Sequence, residues 1–66
     1  MKNSLKVERA KLNITQQELA DKINVSRQTI NSIEADRYVP STILAIKISN
    51  MFNTTVNSIF YLDAED

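Results

Sequence analysis

The segment TQQELADKINVSRQTINSIE, residues 15–34, constrains the fold of this chain more than any other: two apolar stripes of helical period lie only three residues apart. In the first, Thr15 and Glu18 have the spacing of a capping box, in which the threonine hydroxyl and the glutamate carboxylate each accept from a free helix amide. Leu19, Ala20 and Ile23 form its inner face. Asn24-Val25-Ser26 ends that helix, because asparagine tolerates the left-handed conformation, and Ser26 suits the cap of a following helix from about Arg27 to Ala35. Ile30 and Ile33 are the inward residues there.

The same helical spacing runs through the rest of the chain. Leu5, Arg9 and Leu12 fall at i, i+4 and i+7 and define a first helix of roughly residues 3–12, with an arginine in its inward stripe. Asp36 to Pro40 reads as a loop, and Ser41 caps a fourth helix carrying Leu44, Ile48, Met51 and Phe52. Asn53 ends it. Thr55 caps a short fifth helix with Val56, Ile59 and Phe60, followed by Tyr61, Leu62 and an acidic tail, residues 63–66. The expected fold is all-α: one compact five-helix domain over residues 1–66, with its closest helix pair at about residues 16–35. The first residues and Phe60-Tyr61-Leu62 leave two readings open, a short β pairing of the two ends with Val7 packed beneath the carboxyl end, or ordinary core packing.

What the chain can do is bounded by what it lacks. It has no cysteine and no histidine, which removes thiolate sites, the commonest general base and the commonest metal ligand. No glycine-rich phosphate loop or carboxylate pair suggests catalysis, so no enzyme, metal, cofactor or small-molecule ligand is expected. Neither a signal peptide nor an apolar run of membrane-spanning length is present, and the expected location is the cytoplasm. Formal net charge is zero, but three of eight carboxylates sit in the tail, at Asp63, Glu65 and Asp66. Residues 1–62 therefore carry eight basic against five acidic groups, a balance of +3.

With Ile30 inward and 100° per residue, Ile33 and Glu34 lie within about 60° of the core direction, while Gln28, Asn31, Ser32 and Ala35 face away. That outer face is polar and uncharged, with Arg27 on its flank. Glutamine and asparagine can each donate to and accept from an adenine edge, and arginine can pair with guanine or phosphate.

Taken together, TQQELA, VSRQTINSIE, the Tyr38-Val39-Pro40 loop and the ending NSIF resemble the phage-repressor-like (Cro and repressor-type, XRE) helix-turn-helix regulators, in their short, single-domain bacterial form. The resemblance covers nearly the whole chain. It implies a sequence-specific binder of double-stranded DNA acting in transcription regulation, as a repressor that holds an inverted-repeat operator as a homodimer. Position by position, it implies base contacts from Arg27, Gln28, Asn31 and Ser32. Phosphate contacts are implied for Gln16, Gln17, Ser26, Thr29, Arg37 and Tyr38. It also implies that Arg9 and Glu34, both on inward stripes, form a buried ion pair; the alternative is an Arg9 that snorkels to solvent. Where relatives usually carry glycine at helix ends, this chain has Asn13, Asn24, Asp36 and Asn53, residues that also enter the left-handed region. Asp36 brings a carboxylate beside Arg37, which either weakens its phosphate contact or orients it.

Dimer surface is expected from Phe52, Ile59, Phe60, Tyr61 and Leu62, more apolar area than one small domain readily covers. The competing function is a protein-interaction module, antitoxin-like or accessory, on the same fold. Retained phosphate-facing residues favour DNA.

Overall fold

A computed structural model describes all of residues 1–66. The order of elements is β1 (Lys2–Asn3), α1 (Leu5–Lys11), α2 (Gln16–Ile23), α3 (Arg27–Glu34), α4 (Thr42–Met51), α5 (Val56–Ile59) and β2 (Phe60–Tyr61). The five helices enclose one apolar cluster built from Leu5, Leu19, Ala20, Ile23, Ile30, Ile33, Leu44, Ala45, Ile48, Ile59 and Phe60. The two strands pair antiparallel, Lys2 opposite Tyr61 and Asn3 opposite Phe60, which ties the ends of the chain together.

Local chemistry fixes where each helix starts. Thr15 Oγ1 accepts from the Glu18 N–H at 3.0 Å while Glu18 Oε1 accepts from the Thr15 N–H at 2.9 Å, completing the expected box. Ser26 Oγ accepts from the Thr29 N–H at 3.1 Å, and Ser41 Oγ from the Leu44 N–H at 3.2 Å. Thr55 occupies the cap position of α5, but its hydroxyl bonds the Ser58 hydroxyl at 2.9 Å and leaves the helix amides alone.

The four glycine substitutes all adopt positive φ: Asn13 at 55°, Asn24 at 60°, Asp36 at 61° and Asn53 at 54°. After each of them the next N–H reaches back to a carbonyl five residues earlier, Ile14 to Arg9, Val25 to Ala20, Arg37 to Ser32 and Thr54 to Ser49, at 2.9–3.2 Å. This bond closes a left-handed helix terminus and satisfies a carbonyl that the helix itself leaves open. A β-carbon in that region without a local polar partner costs roughly 1–2 kcal/mol. Asn24→Ala is therefore expected to lower the melting temperature by roughly 4–8 °C for each kcal/mol lost, with Asn24→Gly at or above the parent. Equal melting of the alanine and glycine variants would contradict the account of this turn.

Several local expectations need correction. The first helix begins at Leu5, because Lys2 and Asn3 are drawn into the strand pair. Leu12 is 52% exposed: the chain turns at Asn13 immediately after it, and Ile14 packs on the core instead. Val7, about 200° around the helix from Leu5, is exposed and does not lie beneath the carboxyl end. Phe60 belongs to β2 and not to the fifth helix. No helix is long and apolar enough to cross a membrane.

Candidate nucleic-acid interface

Ile30 and Ile33 are fully buried, and their anchoring turns the opposite side of α3 outward. Gln28, Thr29 and Ser32 share one open depression with Ser26, Arg37 and Tyr38. Arg27, Gln28 and Asn31 line the next. Gln16 and Asn31 line a third, together with Lys6 and the edge of the Arg9–Glu34 pair. Nine of the expected contact residues are thus brought onto one continuous surface. Gln17 is not among them; its amide bonds Asp21 Oδ1 at 2.9 Å along α2.

The surface is held from beneath by a hydrogen-bonded ion pair. Arg9 Nε donates to Glu34 Oε2 at 2.8 Å and Nη2 to Oε1 at 3.1 Å, a two-pronged pairing that joins α1 to α3. Nη1 donates to the Ile14 carbonyl at 3.0 Å, fixing the turn into α2. The side chains are 15% and 6% exposed, which settles the question of snorkelling in favour of the pair. Hydrogen bonding to Glu34 is the main cause of a raised Arg9 pKa, partly opposed by burial, so the guanidinium stays charged.

The Gln16 side chain joins this network. Its amide nitrogen donates to Glu34 Oε1 at 3.0 Å and approaches Asn31 Oδ1 at 3.5 Å, so its donors turn into the protein and across to α3. Ser26 is also engaged, with its hydroxyl 2.9 Å from that of Thr29.

Charge on this surface is unneutralised. Arg27, Arg37 and Lys6 have no carboxylate within 4.0 Å, whereas Arg9 and Lys11 each have one and Lys2 has two. Lys6 is a residue that sequence reasoning missed. It follows Leu5 with no local signal, and only the packing of α1 beside α3 brings it next to Gln16, Asn31 and Ala35.

The expected apolar surface at the carboxyl end divides in two. Ile59 is fully buried in the core of the single chain, Phe60 shows only its edge and Phe52 is partly buried, so these three offer little free area. Tyr61 and Leu62 are exposed, at 52% and 75%, and with Met1, Val56, Asn57 and Phe60 they line a mostly apolar groove.

A family model described as helix-turn-helix matches residues 5–59. Over 66 residues the chain is 47% identical to an uncharacterized HTH-type transcriptional regulator of Methanocaldococcus jannaschii, with 100% of both chains covered. It is 39% identical to the uncharacterized HTH-type transcriptional regulator YgzD of Bacillus subtilis, again over 100% of each. Among solved structures, the clp gene regulator ClgR from Corynebacterium glutamicum matches with a TM-score of 0.73 at 27% identity, over 79% of this chain and 55% of that one. Full-length relatives thus occur in archaea as well as bacteria, a wider range than the bacterial subgroup expected from the sequence. The regulators concerned are not enzymes. On the strength of a match spanning most of its length and of full-length relatives, the chain belongs to the XRE-type helix-turn-helix family of transcriptional regulators.

Proposed function

We propose that this protein is a sequence-specific double-stranded DNA-binding regulator of transcription, working in the cytoplasm as a homodimeric repressor on an inverted-repeat operator. The observation that carries the reading is the outer face of α3: amide and hydroxyl side chains flanked by two arginines that no carboxylate neutralises. Arg27, Gln28, Asn31 and Ser32 reach base edges, while Ser26, Thr29, Arg37 and Tyr38 lie against the sugar-phosphate edge. At the start of α2 the phosphate contact falls to the backbone amides of Gln16 and Gln17, since both side chains have partners within the protein. Lys6 adds a further cation beside the same surface. The dimer closes on the carboxyl end through Tyr61 and Leu62, and the bound pair represses by occupying DNA that polymerase would use.

Salt titration separates the two kinds of contact. On a selected duplex Gln28→Ala is expected to lose about 10–100-fold in affinity, with little change on unrelated sequences. Arg37→Ala is expected to weaken both, and to reduce the slope of log K against log salt by about 0.9 for each protomer bound, about 1.8 for the dimer. A Gln28→Ala loss that is equal on all sequences would contradict base reading. Sedimentation equilibrium at micromolar concentration is expected to show a dimer that Leu62→Asp converts to monomer. A parent that is monomeric both free and on DNA would remove the dimer from the reading.

A further inference from the structure

The carboxylate of Asp36 stands one residue before Arg37, where an acid would ordinarily compete with phosphate for the arginine. The amino-terminal strand takes it instead. Asp36 Oδ2 accepts from Lys2 Nζ at 3.2 Å and Oδ1 from Asn3 Nδ2 at 3.1 Å. Asn3 Nδ2 also donates to the Ile33 carbonyl at 2.8 Å, and Asn3 Oδ1 accepts from the Leu5 N–H at 3.1 Å. Both ends of this amide are used, and its strand is held in turn by the Phe60 pairing and by the Ser4 N–H donating to the Ile59 carbonyl at 2.9 Å. The Lys2 ammonium lies 4.0 Å from Asp63 as well, and its pKa is raised chiefly by the hydrogen bond to Asp36. Just past the end of α3 the Asp36 N–H donates to the Ile33 carbonyl at 3.0 Å, and the N–H of Arg37 is itself bonded to the Ser32 carbonyl at 2.9 Å.

We propose that Asn3 and Lys2 are positioning residues for DNA binding: by occupying both oxygens of Asp36 they fix the end of α3 and keep the carboxylate off Arg37. The guanidinium is thereby left free for a phosphate group. This explains why an acid is tolerated at the left-handed terminus of a DNA-facing helix, and it assigns the amino-terminal strand a role at a surface it does not itself form. The inference rests on the DNA-binding reading above, so its test includes an arm without DNA.

In that first arm the Arg37 Nε–H resonance is followed by NMR in the parent, Asn3→Ala, Asp36→Asn and the double variant. Release of Asp36 in Asn3→Ala is expected to shift the Arg37 signal and slow its solvent exchange, and Asp36→Asn is expected to abolish the change. In the second arm, duplex affinity is measured at fixed salt for the same four proteins. Asn3→Ala is expected to bind about threefold to tenfold more weakly, and Asp36→Asn to raise affinity by a larger factor in that background than in the parent. Where Asn3→Ala melts too low to measure, Lys2→Met at an exposed position frees Oδ2 alone and is expected to act in the same direction, more weakly. An unchanged Arg37 signal in the variants overturns the proposal even if the parent binds DNA. Equal effects of Asp36→Asn in both backgrounds do the same. A parent that binds no duplex would overturn the DNA-binding reading, and this proposal with it, whatever the first arm shows about Asp36.

Discussion

Arg9→Ala is expected to melt far below the parent, with a loss of about 3–5 kcal/mol, because it leaves the Glu34 carboxylate buried without its charge partner. A chain of this length has a total stability of roughly 3–10 kcal/mol, so the variant sits at or near the unfolding threshold at room temperature. The loss exceeds that of a surface pair for two structural reasons. Glu34 is 6% exposed, so water cannot replace the guanidinium. Arg9 also closes the turn before α2 through the Ile14 carbonyl, so its removal uncouples three elements at once. The linkage has a definite sign: the folded pKa of Arg9 is raised, so its contribution is fully present below the unfolded arginine pKa and is lost only as pH rises through the folded value. The stabilisation from this side of the pair is thus constant through the neutral range. Thermal melts of parent, Arg9→Ala and the double variant Arg9→Ala/Glu34→Leu measure it. The double variant is expected to recover part of the loss, since an apolar pair leaves no stranded charge. An Arg9→Ala protein melting within a degree or two of the parent would contradict the role of the pair.

Ile30→Ala carries the second large effect, about 2–5 kcal/mol, from the lost transfer energy of a fully buried side chain together with the cavity left beneath α3. Ile30 lies on α3 opposite the outer residues, which makes the consequence specific. The variant is expected to lose duplex binding in parallel with folding, and to recover affinity when cooled or given a stabilising osmolyte. Gln28→Ala, by contrast, is expected to melt like the parent and lose affinity at every temperature. Matched melting and binding curves would show whether α3 must be docked to read DNA. An unfolded-state fraction too small to account for the loss of binding in Ile30→Ala would count against that coupling.

The elements that local chemistry specifies were legible in the sequence. Thr15 with Glu18, Ser26 and Ser41 announce helix starts because a hydroxyl or carboxylate three residues from a free amide satisfies it wherever the rest of the chain goes. Asn13, Asn24, Asp36 and Asn53 announce helix ends for the same local reason. For Arg9 and Glu34, periodicity showed only that two charges lie on inward stripes, where each needs a partner; that they pair with one another came from the resemblance. What stayed hidden depends on which distant segments meet. The sequence offered a β pairing of the two ends but could not choose it over core packing, and Asn3 leaves the expected helix only because β2 returns beside it; Ile59 and Phe60 look like spare apolar surface until α5 and β2 are folded onto the core. Within the candidate interface, the outer face of α3 followed from periodicity. The inward turn of Gln16 and the arrival of Lys6 did not, since both require α1, α2 and α3 to be packed together.

The central claim is that the outer face of α3 reads double-stranded DNA, and selection of bound duplexes from a random library by the purified, folded protein tests it most directly. The account predicts enrichment of an inverted repeat with half-sites about one helical turn apart, lost when the selection is repeated with Gln28→Ala. No enriched sequence at low salt and high concentration of folded protein would contradict it.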